Sequence, residues 1–287
     1  MKINWYPGHM KKTMESLSEN ISKVDLVLYV LDARAPLSCL NPSISEIAKN
    51  KSILYVFNKI DLANQNTVKK NIENFENNKK AAVSVNSLSN LNKSKLIEKI
   101  KNSESVKKKI AKNKAVNPII KLMVVGVPNS GKSALINKLS SKYKAETGNK
   151  PGVTKQVQWL RVDDNIRVLD TPGTLWPKSS EQMKLKRLAY LGSIRDSVLN
   201  IEDLVFELLK DLIPEYEDSI SKRYGIEIKK DHEIIDIYNN IAESKNFYLK
   251  SGEIDYYKTA NMIINDFRSA KFGNITLDNY NQDENEK

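Results

Sequence analysis

A single cysteine, Cys39, occurs in 287 residues. One thiol excludes an internal disulfide framework and any zinc site built on several cysteines, and it suits a reducing compartment. Cys39 itself reads as a filler residue. Long apolar runs are also missing: no stretch of about 18 apolar residues occurs, and the opening MKINWYPGHMKK has no apolar h-region. Neither a membrane span nor secretion is expected, and the expected location is the cytoplasm. Histidine occurs only at His9 and His232, which confines imidazole chemistry to two positions. Glycine is scarce, yet Gly126, Gly131, Gly148, Gly152 and Gly173 crowd into one stretch, so backbone conformation is being specified there. Acidic residues are outnumbered 46 to 35, a net charge of +11. That excess suits a polyanionic partner reached through phosphate contacts, or is simply a solvated basic surface; charge alone does not decide.

The length sets a prior of about two domains. Four β-rich runs stand out: DLVLYVLDARAP (25–36), SILYVFNKID (52–61), IIKLMVVGVPNSGKS (119–133) and IRVLDTPG (166–173), with AAVSVN (81–86) and QVQWLRVD (156–163) as weaker strands. Continuous apolar strands separated by helix-length polar segments predict an α/β domain with a parallel-rich sheet covered on both faces. From about residue 179 helical periodicity takes over. Ile201, Leu204, Val205, Leu208, Leu209 and Leu212 mark one helix, which Pro214 is expected to end, and Tyr256, Ala260, Ile263 and Phe267 mark another before Gly273. The expected organisation is an α/β domain over 1–178, a small all-α domain over 179–277, and a disordered polar tail over 278–287. The lysine-dense segment 99–118 reads as an exposed helix end and linker in preference to a dedicated RNA contact.

GVPNSGKS follows an apolar strand and precedes a helix, as a P-loop requires. The loop from Pro128 through Ala134, with the backbone N–H groups of Asn129, Ser130, Gly131 and the residues up to Ala134, would surround phosphates at a helix N-terminus. Lys132 would reach the β- and γ-phosphates, and Ser133 would ligate Mg²⁺. In DTPG, Asp170 would hold Mg²⁺ through water, and the N–H of Gly173 would approach the γ-phosphate. Thr154, in KPGVTK between these motifs, would complete the Mg²⁺ shell when GTP is bound.

NKID then supplies the base reader. At the C-terminal end of a strand, where open α/β sheets bind ligands, Asp61 would accept from guanine N1–H and the exocyclic amine. Asn58 would fix the base and the loop beneath it, and the Lys59 stem would cover the ring. Adenine lacks that donor pair and would leave the carboxylate unpaired. Ser84, Val85 and Asn86, ending the next strand, would back the base with main-chain donors. The base motif thus precedes the P-loop, an order that a circular permutation explains, because cutting after DTPG and joining the old ends keeps sheet and site intact. The DTPG loop then leads directly into the helical domain, so nucleotide state could reorient it.

NWYPGHMKK, DARAP, NKIDL, GVPNSGKS, KPGVTK, DTPGTLWPK and FRSAKFGNITL, in this permuted order, resemble the ribosome biogenesis GTPase A family of circularly permuted GTPases. Two other permuted ribosomal families carry zinc modules that one cysteine cannot build. The resemblance implies a GTPase that binds the large ribosomal subunit precursor and ribosomal RNA, promotes late maturation, and uses neither membrane nor DNA. Many GTPases carry a water-orienting Gln after DTPG; here Thr174 stands there. The resemblance puts His9, in WYPGHM, on the active-site side as the candidate to position water. It matches Asn129 to the residue that supports K⁺ in potassium-activated GTPases, the ion supplying the charge of an arginine finger. For the helical domain it implies RNA contact, with Lys184, Lys186, Arg187, Lys258, Arg268 and Lys271 as candidate cations. The competing reading is a guanine-nucleotide-gated RNA-binding protein in which hydrolysis is incidental.

Overall fold

A computed structural model describes Ile3 and residues 8–89, 92–113, 118–140, 157–162, 164–175, 182–229 and 231–278, with Gly8 and His9 described by backbone only. Six strands form one sheet: β1 (Leu26–Asp32), β2 (Ser52–Asn58), β3 (Ala82–Ser84), β4 (Ile120–Val125), β5 (Gln158–Arg161) and β6 (Ile166–Asp170). Their spatial order is β3-β2-β1-β4-β6-β5. All neighbours are parallel except β5, which runs antiparallel to β6.

The first three strands progress outward in one direction from β1, and the last three lie on the other side, β6 beside β4 and β5 at the edge. The reversal between β1 and β4 is a topological switch point, and the crevice beyond the strands' C-terminal ends is where such sheets bind ligands. Asp32, Asn58 and Asp170 each close a strand at that edge.

All seven residues of β1 are buried, which is why the strand reads as an unbroken apolar run. Leu26, Leu28 and Val30 face one core; Val27, Tyr29 and Leu31 face the other. The flanking helices are α1 (Gly8–Asn20), α2 (Pro42–Ile47), α3 (Gln65–Asn77), α4 (Lys93–Asn102), α5 (Glu104–Lys112) and α6 (Lys132–Leu139). Beyond the sheet come α7 (Gln182–Tyr190), α8 (Ile201–Tyr224), α9 (Ile234–Ser244) and α10 (Tyr256–Arg268). The core of these later helices is continuous with the second sheet core, Leu188, Leu204, Leu208 and Phe267 joining Tyr29 and Leu31 in one cluster.

Pro214 does not end α8, contrary to the sequence expectation. The helix continues to Tyr224, with a non-helical Tyr216 (φ −129, ψ 22), and stops at the left-handed Gly225. Proline removes one backbone bond and crowds the carbonyl four residues back, which kinks the helix; buried Leu212, Ile220 and Tyr224 on either side hold both halves.

The second difference is Asp278, assigned from sequence to the polar tail. It is fully buried. Its carboxylate accepts from Ser38 N (2.6 Å), Ser38 Oγ (2.9 Å) and Arg187 Nη1 (2.8 Å), and its carbonyl accepts from Asn71 Nδ2 (3.2 Å). Leu277 N donates to Arg34 O at 2.6 Å and Asn64 N to Thr276 Oγ1 at 3.1 Å. The chain thus returns to the α/β layer before the remaining tail, 279–287, passes outside the described residues.

Candidate functional site

The P-loop leaves β4 at Val125 and enters α6 at Lys132. Gly131, the N-cap of α6, has φ +90, and a Cβ there would lie 2.2 Å from Asn58 Nδ2. Only glycine fits that backbone and that approach. Asn58 uses the space: it is buried, its Nδ2 donates to Ser130 O (2.9 Å), and its Oδ1 accepts from Ser87 N (3.1 Å) and Ser87 Oγ (2.8 Å). The base motif, the P-loop and the loop after β3 are therefore fastened by one side chain.

Lys132 is 6% exposed, and its ammonium donates to the carbonyls of Gly126 (3.2 Å) and Val127 (2.9 Å). Burial pulls its pKa down to about 8, with the nearby Asp170 carboxylate opposing the fall. Ser133 and Ala134 follow in the first turn, where helix N–H groups lack intrahelical partners. Pro128 packs against Gly173, where a Cβ would come within 2.5 Å of Pro128 Cα. Ser130 is buried and its hydroxyl donates to Val127 O (3.0 Å).

Asp170 is buried at the end of β6, and Thr171 Oγ1 donates to Val124 O at 2.6 Å, tying DTPG to the P-loop strand. Thr174 N donates to Gly126 O (3.2 Å), and Leu175 N lies 3.4 Å from Met10 Sδ. The start of α1, and with it the His9 backbone, is therefore next to the segment that follows DTPG. Thr154 and the His9 side chain lie outside the described residues.

One part of the base site differs from expectation. Val85 N–H donates to Phe57 O (2.8 Å) within the sheet, so it is not available as a main-chain donor to a base, and Asn86 Oδ1 accepts from Leu88 N (2.8 Å). Ser84 Oγ accepts from Asn92 Nδ2 at 3.3 Å. Asp61 sits exposed after the left-handed Lys59, at the crevice rim. The Lys59 ammonium reaches into the crevice, 3.0 Å from Asp32 Oδ2 and 2.5 Å from Asn129 O.

Asp32 and Arg34 had no assigned role from sequence. Arg34 grips Asp32 with two side-chain bonds (Nε–Oδ1 3.0 Å, Nη2–Oδ2 2.9 Å), and its Nη1 donates to Arg268 O (3.1 Å). Arg268 in turn donates to the carbonyls of Tyr190 and Ala189 and to both oxygens of Asp196. A Cβ on Gly192 would lie 3.3 Å from both Arg268 Cζ and Asn129 Nδ2. The signal in the sequence was a D-x-R closing an otherwise wholly apolar strand at the ligand-binding edge.

Several of the candidate RNA-facing cations are also held by partners of their own. Arg268 is spent on Asp196, Arg187 on Asp278, Lys186 on Glu207 and Lys271 on Asp266. Lys258 lies 4.1 Å over the Phe247 ring.

The oxygen donors Ser133 and Asp170, converging at one crevice, match what Mg²⁺ accepts while keeping several waters. Among the described residues no group of three or more His, Cys, Asp or Glu could hold a metal without a ligand's help. No helix there is long and apolar enough to cross a membrane.

A P-loop and a DTPG segment at a switch point, with the NKID strand beside them but earlier in the chain, define a circularly permuted P-loop GTPase with a helical C-terminal region. A family model described as "50S ribosome-binding GTPase" matches residues 121–244. The chain is 37% identical over 281 residues to Ribosome biogenesis GTPase A of Bacillus licheniformis, covering 97% of this chain and 98% of that one. It is 26% identical to the protein of the same name from Thermotoga maritima, covering 96% and 94%. A GDP-bound YlqF structure aligns with a TM-score of 0.65 at 21% identity, covering 93% of this chain and 99% of that one. GNP-bound YlqF from T. maritima gives 0.64 at 21%, covering 93% and 98%. The chain belongs to the ribosome biogenesis GTPase A family, and the reaction it catalyses is hydrolysis of GTP.

Proposed function

We propose that this GTPase acts in the cytoplasm on the precursor of the large ribosomal subunit, late in its maturation, with GTP favouring docking on ribosomal RNA and hydrolysis favouring release. The observation that carries the reading is the joint between nucleotide crevice and helical region: Asn129 of the P-loop abuts Gly192, and Arg268 bonds Arg34, which holds the Asp32 that pairs with Lys59. A change of the crevice on phosphate loss is thereby felt by α7 and α10. We divide the chain accordingly into a GTPase unit over 1–178 and a helical unit over 179–277, with Asp278 as the anchor that closes it.

In the site, Asp61 reads guanine, Asn58 locks the loops that frame the base, and the Lys59 stem covers the ring. Ser84, Val85 and Asn86 form the wall behind the base. Pro128 through Ala134 surround the phosphates, and Lys132 neutralises charge building on the β- and γ-phosphates. Ser133, Thr154 and Asp170, the last through water, would hold Mg²⁺. When bound, the ion neutralises charge on the phosphate oxygens. The Gly173 N–H donates to the γ-phosphate and His9 orients the attacking water, while Asn129 would support a K⁺ ion, which would supply the charge of an arginine finger.

The test is GTP turnover in KCl and in NaCl at equal ionic strength, with and without large ribosomal subunits, alongside His9→Ala. Stimulation by subunits and by K⁺, with the subunit effect lost in the variant, is the expected result. Tight GTP binding with no turnover under any condition would instead leave a nucleotide-gated RNA-binding protein.

A further inference from the structure

Of the chain's net charge of +11, the twenty residues 93–112 carry +6, from eight lysines against Glu98 and Glu104. That concentration lies on α4 and α5, outside the helical region, where Lys186, Arg187, Arg223, Arg268 and Lys271 are held in ion pairs. Within it Lys99 pairs with Glu76, Lys108 with Glu104 and Lys109 with Asp25. Lys107 and Lys112 are exposed, with no ion pair among the described residues.

The patch does not end at α5. Asp25 Oδ2, which takes Lys109 at 2.7 Å, also accepts from Lys121 N at 2.7 Å, so α5 is stitched to the first residues of β4. The Lys121 ammonium sits 5.8 Å over the ring of Trp159, which is 41% exposed on the edge strand β5. The neighbouring Arg161 is 61% exposed and pairs with the local Asp164. An aromatic ring left partly in water beside cations is the arrangement on which bases stack while phosphates meet lysines. Lys109 and Lys121 meet at the N-terminal edge of the sheet; α5 packs on one face, while Lys121 and Trp159 stand on the other. The surface thus wraps that edge, with Trp159, in register with Leu169, reaching along β5 toward the crevice end.

We propose that this edge is a second RNA-binding surface, taking a single-stranded segment of ribosomal RNA with one base on Trp159 and its phosphates along Lys107, Lys112 and Lys121. The proposal rests on the reading that the protein's partner is the large subunit. It adds a contact made by the GTPase unit itself.

The experiment measures binding of the full chain to protein-free large-subunit RNA and to intact large subunits across a salt series, for the wild type, Lys107→Glu/Lys112→Glu/Lys121→Glu and Trp159→Ala. Basal GTP turnover should be unchanged in both variants, which also reports that they fold. For the triple variant the slope of log affinity against log salt should fall by about 2, roughly 0.7 per lost single-strand phosphate contact. Trp159→Ala should weaken RNA binding roughly tenfold, at about 1–3 kcal/mol per stacked base, and abolish RNA-induced quenching of tryptophan fluorescence. Wild-type binding retained equally by both variants overturns the surface while leaving the ribosomal reading standing. A loss confined to intact subunits, with protein-free RNA bound normally, assigns the surface to an acidic protein instead and overturns the RNA assignment. Failure of the wild type to bind either substrate removes the ribosomal reading and this surface with it.

Discussion

Lys59 brings its ammonium 3.0 Å from Asp32 Oδ2, and the Asp32 carboxylate is at the same time gripped by Arg34. Burial alone would raise the Asp32 pKa, but the two cations outweigh it and hold the carboxyl well below the usual carboxylate range. One buried anion therefore positions both the lysine of the base motif and the arginine that reaches α10.

Asp32→Asn leaves Arg34 and Lys59 without their counter-charge. For a buried pair, removal of one partner costs about 3–5 kcal/mol. Chemical denaturation should show a loss of that order, and guanine-nucleotide affinity should drop with it because Lys59 loses its anchor. The sign with pH follows from the depressed folded-state pKa: the stabilisation is complete above the ordinary value of 3.8 and is lost as pH falls toward the folded one. The variant should accordingly show a shallower acid limb. Equal stability of variant and wild type at pH 7 would mean that the triad is dispensable.

Gly173 tests how closely DTPG must approach the P-loop. An alanine Cβ would fall 2.5 Å from Pro128 Cα and 2.6 Å from Pro128 N, main-chain atoms with no side-chain freedom to yield. Gly173→Ala should reduce GTP turnover at least tenfold and affect GDP affinity much less, since the loop displaced is the one facing the γ-phosphate. Gly225→Ala is the control: it is strained by φ +70 but has nothing within 4 Å. It should cost about 1 kcal/mol of stability with turnover unchanged. Parallel turnover and denaturation curves separate the two outcomes.

The sheet and the phosphate loops were legible because their signals are local. Unbroken apolar strands gave β1, β2, β4 and β6, and glycines at 126, 131 and 173 marked the close approaches. What sequence reasoning missed were contacts between distant segments. Arg187, Arg268 and Lys271 read as surface cations because their partners Asp278, Asp196 and Asp266 are identified only by the fold. Asp278 looked like the first residue of a polar tail, since the pocket that buries it is built from Ser38, Asn71 and Arg187. Pro214 misled for a different reason. Its cost to a helix is fixed locally, but buried leucines before it and buried Ile220 and Tyr224 after it outweigh it.

Lys132 carries a pH prediction. Burial depresses its pKa to about 8, so in the unfolded chain, with an ordinary value of 10.5, it binds more protons than in the fold between those limits. Stability of the nucleotide-free protein should therefore rise with pH from about 8 toward 10.5 as far as this group is concerned. Bound phosphates favour the charged form, so nucleotide binding at pH 8.5 should take up protons, and binding at pH 6.5 should take up none through Lys132. Titration calorimetry at pH 8.5 in two buffers of different ionisation enthalpy reads this directly. Identical apparent enthalpies in the two buffers would contradict the assignment.

Asp278 is the remaining test of how the chain closes. Its carboxylate satisfies Ser38 N, Ser38 Oγ and Arg187 Nη1 in a site with no exposure to water. Asp278→Ala deletes the acceptor but leaves those donors behind, one of them a largely buried guanidinium. Unpaired buried donors cost about 1–3 kcal/mol each, more for a charged group. The variant should lose roughly 3–5 kcal/mol. Asp278→Asn distinguishes charge from hydrogen bonding, because it keeps an acceptor while removing the pairing with Arg187. An intermediate loss is expected. If Asp278→Ala melts with the wild type, residues 271–278 do not fasten the helical unit to the α/β layer, and the anchor assigned to them has no energetic content.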